Sequence, residues 1–549
     1  MKKFVTLISL VAAAVAVTSC ASADKMAKMA EQVVVTCNPS PLTVQGGKVT
    51  AQISVSYPEK YFCPKAILEV TPVMVYATGE TAGEVLKYQG EKVTDNYRVV
   101  PSAGGTVTET VVFDYDPAMA TSVLELRAQA TTNNGAKWVT LPTKKVADGC
   151  IATETLICKC GHFCLKDSGY QEIIQMNPEG QVMYQINSAV VRNSELKGQS
   201  VADFQEALKE ALANERKELK GIEVVAYASP DGGEDLNNRL SENRSKSADK
   251  AFKKVAKNTN TKGVPTEVKS IGEDWEGFQE LVGNSNIEDK DLILRVLSMY
   301  KDSNVREREI RNMSSIYQDL AKDVLPQLRR ARFIADVEFT NYSEAELLDL
   351  VQKNSDILDE PALLKAAELC KDKADKVALY KKAIDKYNSA SAKYDLAVLA
   401  LKDKDLNAAE AQLKKCDLKD ADVVNLAGVC ALRNGDLASA KSCFEAAKTA
   451  DAQKNLGVCA ALSGDYATAV EKLGDKGPDA AVAKLLNGNT TGAMTALDGC
   501  TCPKADYIRA ICLNRQGKVT EAKAALKKAT DKDEKLAERA KTDIEFANL

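Results

Sequence analysis

One arginine occupies an unusual position on a predicted helix in the middle of the chain. The stretch 226–250 is AYASPDGGEDLNNRLSENRSKSADK, in which a strand-like run ends at a glycine turn and a charged helix follows. Helical spacing places on one face Asn237, Leu240, Ser241, Arg244, Ala248 and Phe252. A guanidinium within an apolar stripe can fork onto a carboxylate, and N–H groups at a helix start favour anions. The pattern predicts an anion site, with snorkelling of Arg244 to water as the alternative.

The same stretch resembles the peptidoglycan-binding domain of the OmpA-like family. That family's pattern is Thr-Asp, Gly, then Asn-x-x-Leu-Ser-x-x-Arg-Ala, and the residues in register here are Gly232, Asn237, Leu240, Ser241 and Arg244. In the later stretch LRRARFIADV, Arg329 and Arg330 resemble the Arg-Arg pair that precedes the family's last strand. The ASPDG and GEDW motifs resemble the variant found in outer-membrane proteins of Bacteroides-type bacteria.

The resemblance implies a ligand and the residues that bind it. In the family, the helix arginine and a turn aspartate hold the diaminopimelate of the peptidoglycan stem peptide by its carboxylate and its ammonium. The expected peptidoglycan-binding residues are Ser229, Asp231, Gly232, Asn237, Ser241, Arg244 and Arg330. Ser229 stands at the family's aspartate position, and a lost charge-assisted bond would weaken binding by about 1.5–3 kcal/mol. Three outcomes stay open: Asp231 supplies the anion, Ser229 is a weaker partner, or wall binding is lost.

The N-terminus predicts export and a lipid anchor. Lys2 and Lys3 precede an apolar run that ends in Val-Thr-Ser-Cys, which is typical of a secretory signal peptide. Small residues before a cysteine resemble a bacterial lipobox, which implies a signal peptide over 1–19, lipidation of Cys20 and a tether over 20–30. Ordinary signal cleavage is the alternative. We expect an outer-membrane lipoprotein that faces the periplasm, because the residues after Cys20 lack an acidic surface-export run.

The first folded block, residues 31–165, is predicted to be a β-sandwich. In KVTAQISVS at 48–56, apolar and polar residues alternate with the period of a half-buried strand. Similar runs lie at 106–113 and 123–128, with turn-forming residues between them.

A cluster of sulfur and imidazole groups closes that block. The motif CKCGHFC contains Cys158, Cys160, Cys164 and the chain's only histidine, His162. These side chains are zinc ligands in type, but their spacing matches no established zinc knuckle. In an exported protein, cysteines commonly form disulfides, and Cys158 or Cys160 could pair, for example, with Cys150 or Cys164. We therefore favour disulfides over zinc.

The middle block, residues 180–342, is predicted to be an α+β domain with two helices on one side of a sheet. One predicted helix has Val201, Phe204, Leu208 and Leu212 on its apolar face, behind a Ser200 cap. A helical insert over 275–328 precedes the last predicted strand.

The last block, residues 344–549, is almost all helical and repeats itself. Around Gly435, Gly428 lies seven residues before the turn, and Ala440 and Phe444 lie five and nine after it. Comparable offsets recur around Lys404, Gly464 and Gly517. This pattern resembles the tetratricopeptide repeat, an all-α solenoid whose concave surface binds peptides or protein partners. Five residues before three of the turns are Cys430, Cys459 and Cys512, which we expect to be buried core thiols.

Composition and motifs narrow the function classes. Lys and Arg (73) nearly balance Asp and Glu (77), which argues against nucleic acid as a partner. A single histidine excludes most His-dependent triads and HExxH metal sites, and no GxxxxGK phosphate loop is present. We therefore expect no enzyme and no cofactor. The favoured function is a lipoprotein that binds peptidoglycan and recruits an envelope protein through its repeats; the alternative is a secretion or surface-assembly scaffold that has lost wall binding.

Lipidation makes a direct prediction for the membrane association of the protein. Cys20→Ala should release the protein from membrane fractions, because the acyl chains have no other attachment site in the predicted signal. Fractionation and lipid labelling measure this outcome. A Cys20→Ala variant that stays membrane-bound with unchanged labelling would contradict the lipobox interpretation.

Overall fold

The computed structural model describes residues 23–549, apart from 133, 134, 136, 260 and 288. The predicted signal peptide 1–19 and the predicted lipidation site Cys20 lie outside these described residues. The chain divides into two compact units, one comprising the part up to Lys166 together with Ala392–Leu549, and the other comprising Asp167–Ser391. Among the described helices, none has both the length and the apolar composition needed to span a membrane.

Two sheets enclose the N-terminal core. A short helix α1 (Ala23–Met29) precedes the strands, which are β1 (Val34–Asn38), β2 (Leu42–Gln45), β3 (Lys48–Tyr57), β4 (Ile67–Tyr76), β5 (Gly79–Ala82), β6 (Leu86–Gln89), β7 (Arg98–Val99), β8 (Gly105–Asp114), β9 (Val123–Thr131), β10 (Val139–Thr140), β11 (Lys144–Asp148) and β12 (Cys150–Ile151). One sheet has the order β1-β3-β2-β12 with β8 on β3. The other has the order β10-β9-β4-β6-β7, with β11 on β9 and β5 on β4.

Alternation of side chains explains this core. In β3, every second residue is buried, and these are Val49, Ala51, Ile53, Val55 and Tyr57. They share one hydrophobic cluster with residues of the facing sheet, such as Leu68 and Leu124. The described part of the predicted tether also belongs to this core, because α1 packs on it with Met26 fully buried.

An α+β unit follows in the chain. Its elements are β13 (Ile173–Met176), β14 (Glu179–Met183), α2 (Gln199–Ala213), β15 (Lys217–Ala228), α3 (Glu234–Val255), β16 (Thr266–Glu273), α4 (Trp275–Gly283), α5 (Lys290–Met299), α6 (Ser303–Asn312), α7 (Ser314–Asp319), β17 (Arg330–Thr340), α8 (Glu344–Lys353), α9 (Glu360–Leu369) and α10 (Lys373–Tyr387). The sheet order is β13-β17-β15-β16, with β14 also on β17. β15 runs parallel to β16 and antiparallel to β17.

Helices α2 and α3 lie on the same side of this sheet, as the sequence predicts. The rings of Phe204 in α2 and Phe252 in α3 both contact Phe333 of β17, at centroid distances of 6.1 and 5.5 Å. Two details of the α2 prediction are wrong. Gly198 is the N-cap, while the Ser200 hydroxyl accepts a hydrogen bond from the Gln181 N–H across to β14. The buried face of the helix also contains Ala211 instead of the predicted Leu212, which is exposed.

Helical hairpins fill the C-terminal part of the chain. They are built from α11 (Ala390–Lys402), α12 (Leu406–Leu413), α13 (Ala421–Arg433), α14 (Leu437–Ala447), α15 (Ala450–Leu462), α16 (Tyr466–Leu473), α17 (Pro478–Leu486), α18 (Thr490–Ala496), α19 (Pro503–Arg515), α20 (Val519–Thr530) and α21 (Glu534–Ala540). We refer to α11, α13, α15 and α17 as the first helices of successive hairpins, and to α12, α14, α16 and α18 as the second helices.

The repeat register has a steric cause. The turn residues Gly435 and Gly464 have φ of +85° and +79°, which glycine adopts without strain. Within the first helices, a Cβ on Gly428 would lie 2.6 Å from the Phe444 ring, and one on Gly457 would lie 2.8 Å from Leu473. The small residue therefore lets the second helix pack closely, as the spacing predicts.

The cysteines of the repeats behave as packing residues. Cys430, Cys459 and Cys512 are all buried in the helical core, as predicted. Burial raises the pKa of these thiols to about 11, 11 and 12, respectively. Since the thiolate is the reactive form, these side chains are chemically inert at neutral pH.

The sandwich and the hairpins form a single packed unit. The buried carboxylate of Glu154 accepts hydrogen bonds from the N–H groups of Gly46 and Gly47, at 2.7 and 2.9 Å. It also accepts one from the hydroxyl of Tyr466 in α16, at 2.6 Å. The β2–β3 turn of the sandwich is thereby fixed against a hairpin more than 400 residues later, since Gln45 Nε2 donates to the Gly464 carbonyl across a separation of 419 residues.

The close approach at Gly428 predicts the effect of adding one methyl group. Gly428→Ala should lower the urea midpoint, because overpacking costs about 1–3 kcal/mol and exceeds the roughly 1 kcal/mol that alanine gains in helix propensity. Gly283→Ala in α4 is the matched control, because a Cβ there has nothing within 4 Å. An unchanged or raised midpoint for Gly428→Ala would show that the hairpin contact is loose.

Candidate functional site

Sheet topology brings the predicted peptidoglycan-binding residues to one edge of the α+β unit. The turn between β15 and α3, residues 229–233, follows the end of β15, and we call it the turn site together with the side chains that contact it. The end of parallel β16 pairs with the end of β15 at Ala228 and Glu273. Antiparallel β17 begins beside the same edge, since Ala331 pairs with Ala226.

Arg244 is completely enclosed and forms hydrogen bonds within the protein. Its side chain is 1% exposed, so it does not snorkel to water. Nε donates to the Ser188 carbonyl at 3.0 Å, Nη1 to the Tyr227 carbonyl at 2.8 Å and Nη2 to the Gln185 carbonyl at 3.3 Å. The guanidinium also lies 4.9 Å from the centroid of the Tyr184 ring. Burial lowers the pKa of Arg244 to about 10, so it stays charged at neutral pH.

Asp231 is the anion of the turn, and it is already paired. Its Oδ1 accepts a hydrogen bond from the Ser229 hydroxyl at 2.7 Å. Its Oδ2 accepts one from Arg329 Nη2 at 2.8 Å, while Arg329 Nε donates to the Ser229 hydroxyl oxygen at 3.3 Å. Ser229 thus connects the carboxylate to its cation, and the positive charge that Asp231 contacts comes from the chain itself.

Asn237 and Ser241 hold the shape of the turn. The buried Asn237 Nδ2 lies 2.9 Å from the Gly232 carbonyl and 2.9 Å from Glu273 Oε1. The Ser241 hydroxyl lies 2.7 Å from that of Ser270 and accepts from a backbone N–H of β16 at 3.2 Å. Both side chains tie the start of α3 to β16 through internal hydrogen bonds.

Arg330 belongs to a second ion pair beside the turn. Its Nε donates to Asp274 Oδ2 at 2.9 Å, and both side chains are largely buried. Asp274 also caps α4, accepting from the Gly277 N–H at 2.9 Å. Arg330 therefore holds the first helix of the insert.

Helix α6 of the insert covers the turn site. Arg311 Nη2 donates to the Asp231 carbonyl at 2.8 Å, and Asn304 Nδ2 donates to Glu234 at 3.1 Å. Trp275 Nε1 lies within hydrogen-bond distance of Ser303 and Glu273, at 3.0 and 2.9 Å. The α6 residues are not among the site residues that the sequence predicts. Their signal is the spacing of Glu307, Ile310 and Arg311, which lie on one face of a highly charged helix.

Glu307 of α6 has a buried carboxyl group. It is 6% exposed, and its Oε1 has no hydrogen-bond partner within the described part of the chain. Its Oε2 lies 3.3 Å from Arg311 Nη2. Burial, reinforced by the neighbouring carboxylate of Glu273, raises the pKa of Glu307 to about 8. Burial and Glu273 therefore disfavour the ionised form of Glu307 in the folded protein more strongly than the neighbouring Arg311 favours it.

The CKCGHFC motif contains a disulfide, but not with the suggested partners. Cys158 and Cys160 are bonded to each other, while Cys150 and Cys164 are free. Within the described ranges, no group of three or more His, Cys, Asp or Glu side chains is placed to hold a metal ion. The motif instead lies against the first helices of the repeats, where His162 hydrogen-bonds to Asn455.

Comparisons with known proteins show no family for this chain. No protein-family model matches the chain, so the OmpA-like resemblance stays a prediction, and no curated protein matches it either. A tetratricopeptide repeat protein from Parabacteroides merdae ATCC 43184 aligns with a TM-score of 0.29 at 12% identity, over 37% of this chain and 91% of its own. The APC/C hetero-tetramer Cut9-Hcn1 aligns with a TM-score of 0.25 at 15% identity, over 55% and 59% of the two chains. The tetratricopeptide-type assignment therefore depends on the hairpins and their register.

The buried carboxyl of Glu307 predicts a pH dependence of stability. Because its pKa rises from 4.5 to about 8 on folding, the folded state binds more protons between these values. The free energy of unfolding should therefore fall as pH rises through this window. Glu307→Gln should remove this loss and be more stable than the parent at pH 9 by at least about 1 kcal/mol. Urea melts at pH 5 and pH 9 measure the difference.

Glu276 of α4 offers a matched control, because its side chain is exposed. Glu276→Gln should leave the pH profile of the unfolding midpoint unchanged. A Glu307→Gln profile that runs parallel to the parent profile would show that Glu307 is ionised in the folded protein at neutral pH.

Proposed function

We propose that this protein is a non-catalytic scaffold lipoprotein of the bacterial outer membrane, anchored at Cys20. In this proposal its OmpA-like domain does not bind peptidoglycan while the insert covers the turn site, and its repeats bind an envelope protein. Of the two functions that the sequence suggests, this is the scaffold of a secretion or surface-assembly machine. The observation that supports this choice is that the buried guanidinium of Arg244 already donates to three backbone carbonyls.

An incoming carboxylate would have to reach a buried guanidinium that already donates to three carbonyls. Releasing the guanidinium leaves the carbonyls of Gln185, Ser188 and Tyr227 without their donor. A buried polar group without its partner costs about 1–3 kcal/mol. One charge-assisted bond to a ligand contributes about 1.5–3 kcal/mol, so exchanging three internal bonds for one ligand carboxylate is unfavourable.

An incoming ammonium faces the same competition at Asp231. The Arg329 guanidinium is tethered 2.8 Å from Asp231 Oδ2, while the diaminopimelate ammonium has to come from solution. The Arg311 side chain of α6 also bonds to the Asp231 carbonyl at 2.8 Å. Both halves of the ligand that the resemblance implies therefore meet groups that are already paired.

The ion pairs of the turn site also support a structural role. Arg329, just before β17, pairs with Asp231 of the turn, and Arg311 of α6 donates to the Asp231 carbonyl. Arg330 of β17 pairs with Asp274 at the start of the insert. Buried or half-buried pairs of this kind fix the relative positions of elements. A rigid α+β unit is suited to serve as a fixed block within an assembly.

Sedimentation with purified sacculi tests the wall-binding part of the proposal. The mature protein should stay in the supernatant, and Asp231→Asn should behave identically, because neither Asp231 nor Arg244 is available to the wall. Arg295→Ala, which removes an exposed charge from the insert, controls for non-specific adsorption. Sedimentation of the parent protein that Asp231→Asn abolishes and Arg295→Ala retains would contradict the proposal and support a peptidoglycan anchor.

A further inference from the structure

The segment 157–166 crosses the first helices of the repeats. Its sequence is ICKCGHFCLK. It leaves the sandwich after a 3-10 turn (Thr153–Leu156) and contacts, in order, the start of α17, then α15 and α13, and finally α11. The segment itself has no helical or strand assignment over 157–166. An extended stretch of chain thus lies across four successive hairpins.

Two buried asparagines bind the middle of this segment through its backbone. The His162 N–H donates to Asn455 Oδ1 at 2.6 Å. The His162 carbonyl accepts from Asn425 Nδ2 at 3.1 Å and from Asn455 Nδ2 at 2.9 Å. Asn455 Nδ2 also lies 2.9 Å from Asn425 Oδ1, which orients the two amides toward each other. Because these contacts use only main-chain atoms of the segment, they do not depend on its side chains.

Other side chains of the first helices bind the backbone on either side. Asp479 accepts from the Cys158 N–H at 3.1 Å, and Asp395 accepts from the Lys166 N–H at 2.9 Å. Donors reach the carbonyls as well, with Arg433 Nη2 at 2.7 Å from Cys160 O and the Tyr394 hydroxyl at 3.1 Å from Cys164 O. The first helices therefore bind the backbone of the segment at every second residue from Cys158 to Lys166, through three N–H groups and three carbonyls.

Three positions of the segment also make selective contacts. Gly161 has φ of +73°, and a Cβ there would lie 2.6 Å from Val429. Phe163 and Leu165 pack against the apolar core of the repeats. The Lys166 ammonium pairs with Asp420 at 3.0 Å and with Asp422, and it lies 5.3 Å from the Tyr394 ring. The site thus favours a glycine, two apolar residues and a lysine in this order.

We propose that this face of the repeats is a peptide-binding groove and that the segment 157–166 is its tethered ligand. The protein partner of the repeats binds there as an extended peptide with the same features, Gly-x-aromatic-x-Leu-Lys, and displaces the segment. This inference rests on the partner-binding role in the proposed function. Buried amides and carboxylates that pair with main-chain atoms are what a groove needs to hold an extended peptide of another protein.

Tethering has a consequence for how the groove is regulated. A ligand on the same chain competes at an effective concentration of the order of millimolar. A partner peptide at micromolar concentration therefore binds poorly until the segment is loosened. The groove is self-inhibited in this structure.

Vacating the groove without changing it tests the proposal. In the full-length protein, Gly161→Val should unseat the segment, because the added side chain would overlap Val429, while every groove residue remains. The probe is a fluorescein-labelled peptide with the sequence of residues 157–166, oxidised between its first two cysteines. By fluorescence anisotropy, Gly161→Val protein should bind this probe at least about tenfold more tightly than the parent protein does.

Two controls test whether the probe binds through the contacts of the groove. Adding Asn455→Ala to the Gly161→Val protein should weaken probe binding about tenfold or more, because the backbone of the probe loses its amide partner. A probe that carries Gly161→Val should not bind the vacated groove. Lys166→Glu in the full chain is a second way to loosen the segment, by repulsion from Asp420 and Asp422, if Gly161→Val fails to fold by circular dichroism.

Probe affinity that is equal and weak for the parent and for both loosened proteins, when folded, would overturn the proposal and leave the segment as a permanent structural strut. Probe binding that Asn455→Ala does not alter would overturn it as well. Neither result depends on sacculi, so failure of the groove and failure of the scaffold proposal are separately visible.

Discussion

The hydrogen bonds between the buried amides of Asn425 and Asn455 and the backbone of His162 fix the segment 157–166 against the hairpins of the larger unit. A segment without secondary structure can be fixed to a protein only if its N–H and C=O groups find partners there. The first helices supply these partners, and Glu154 supplies the corresponding ones at the β2–β3 turn. As a result, the sandwich and the hairpins, separated in sequence by more than 200 residues, share one packed unit.

The α+β unit uses the same principle of internal satisfaction at a different place. Its sequence carries the residue types of an anion site, yet every one of the arginines at the turn site is paired within the chain. Arg244 binds three carbonyls, Arg329 binds Asp231, and Arg330 binds Asp274. The insert completes this arrangement through α6, where the buried Glu307 lies near Glu273 and has a raised pKa. The residue types therefore predict an anion site, but the charged groups of that site are already bonded within the chain.

Local patterns in the sequence predict most of the elements, and long-range contacts account for what they miss. Alternation identifies β3 because Val49, Ala51, Ile53 and Val55 all face one core, and the glycine spacing identifies the hairpins because Gly428 and Gly457 have no room for a Cβ. The position of Arg244 on the buried face is also predictable from helical periodicity. Its carbonyl partners at Gln185 and Ser188 are not, since they come from an irregular loop 59 and 56 residues away, respectively. The docking of residues 157–166 depends on side chains 229 to 321 residues further along the chain, which no local pattern connects.

Hydrogen exchange of the segment 157–166 in the full-length protein shows directly whether the segment is bound to the repeats, because three of its N–H groups donate to side chains of the first helices. The amides of Cys158, His162 and Lys166 donate to Asp479, Asn455 and Asp395. Mass spectrometry with residue-level fragmentation should show these three amides protected at least about tenfold relative to an unstructured chain, with the protection of His162 lost in Asn455→Ala. Exchange of all three at the unstructured rate in the folded parent protein would contradict the account, because the segment would then not be bound to the repeats.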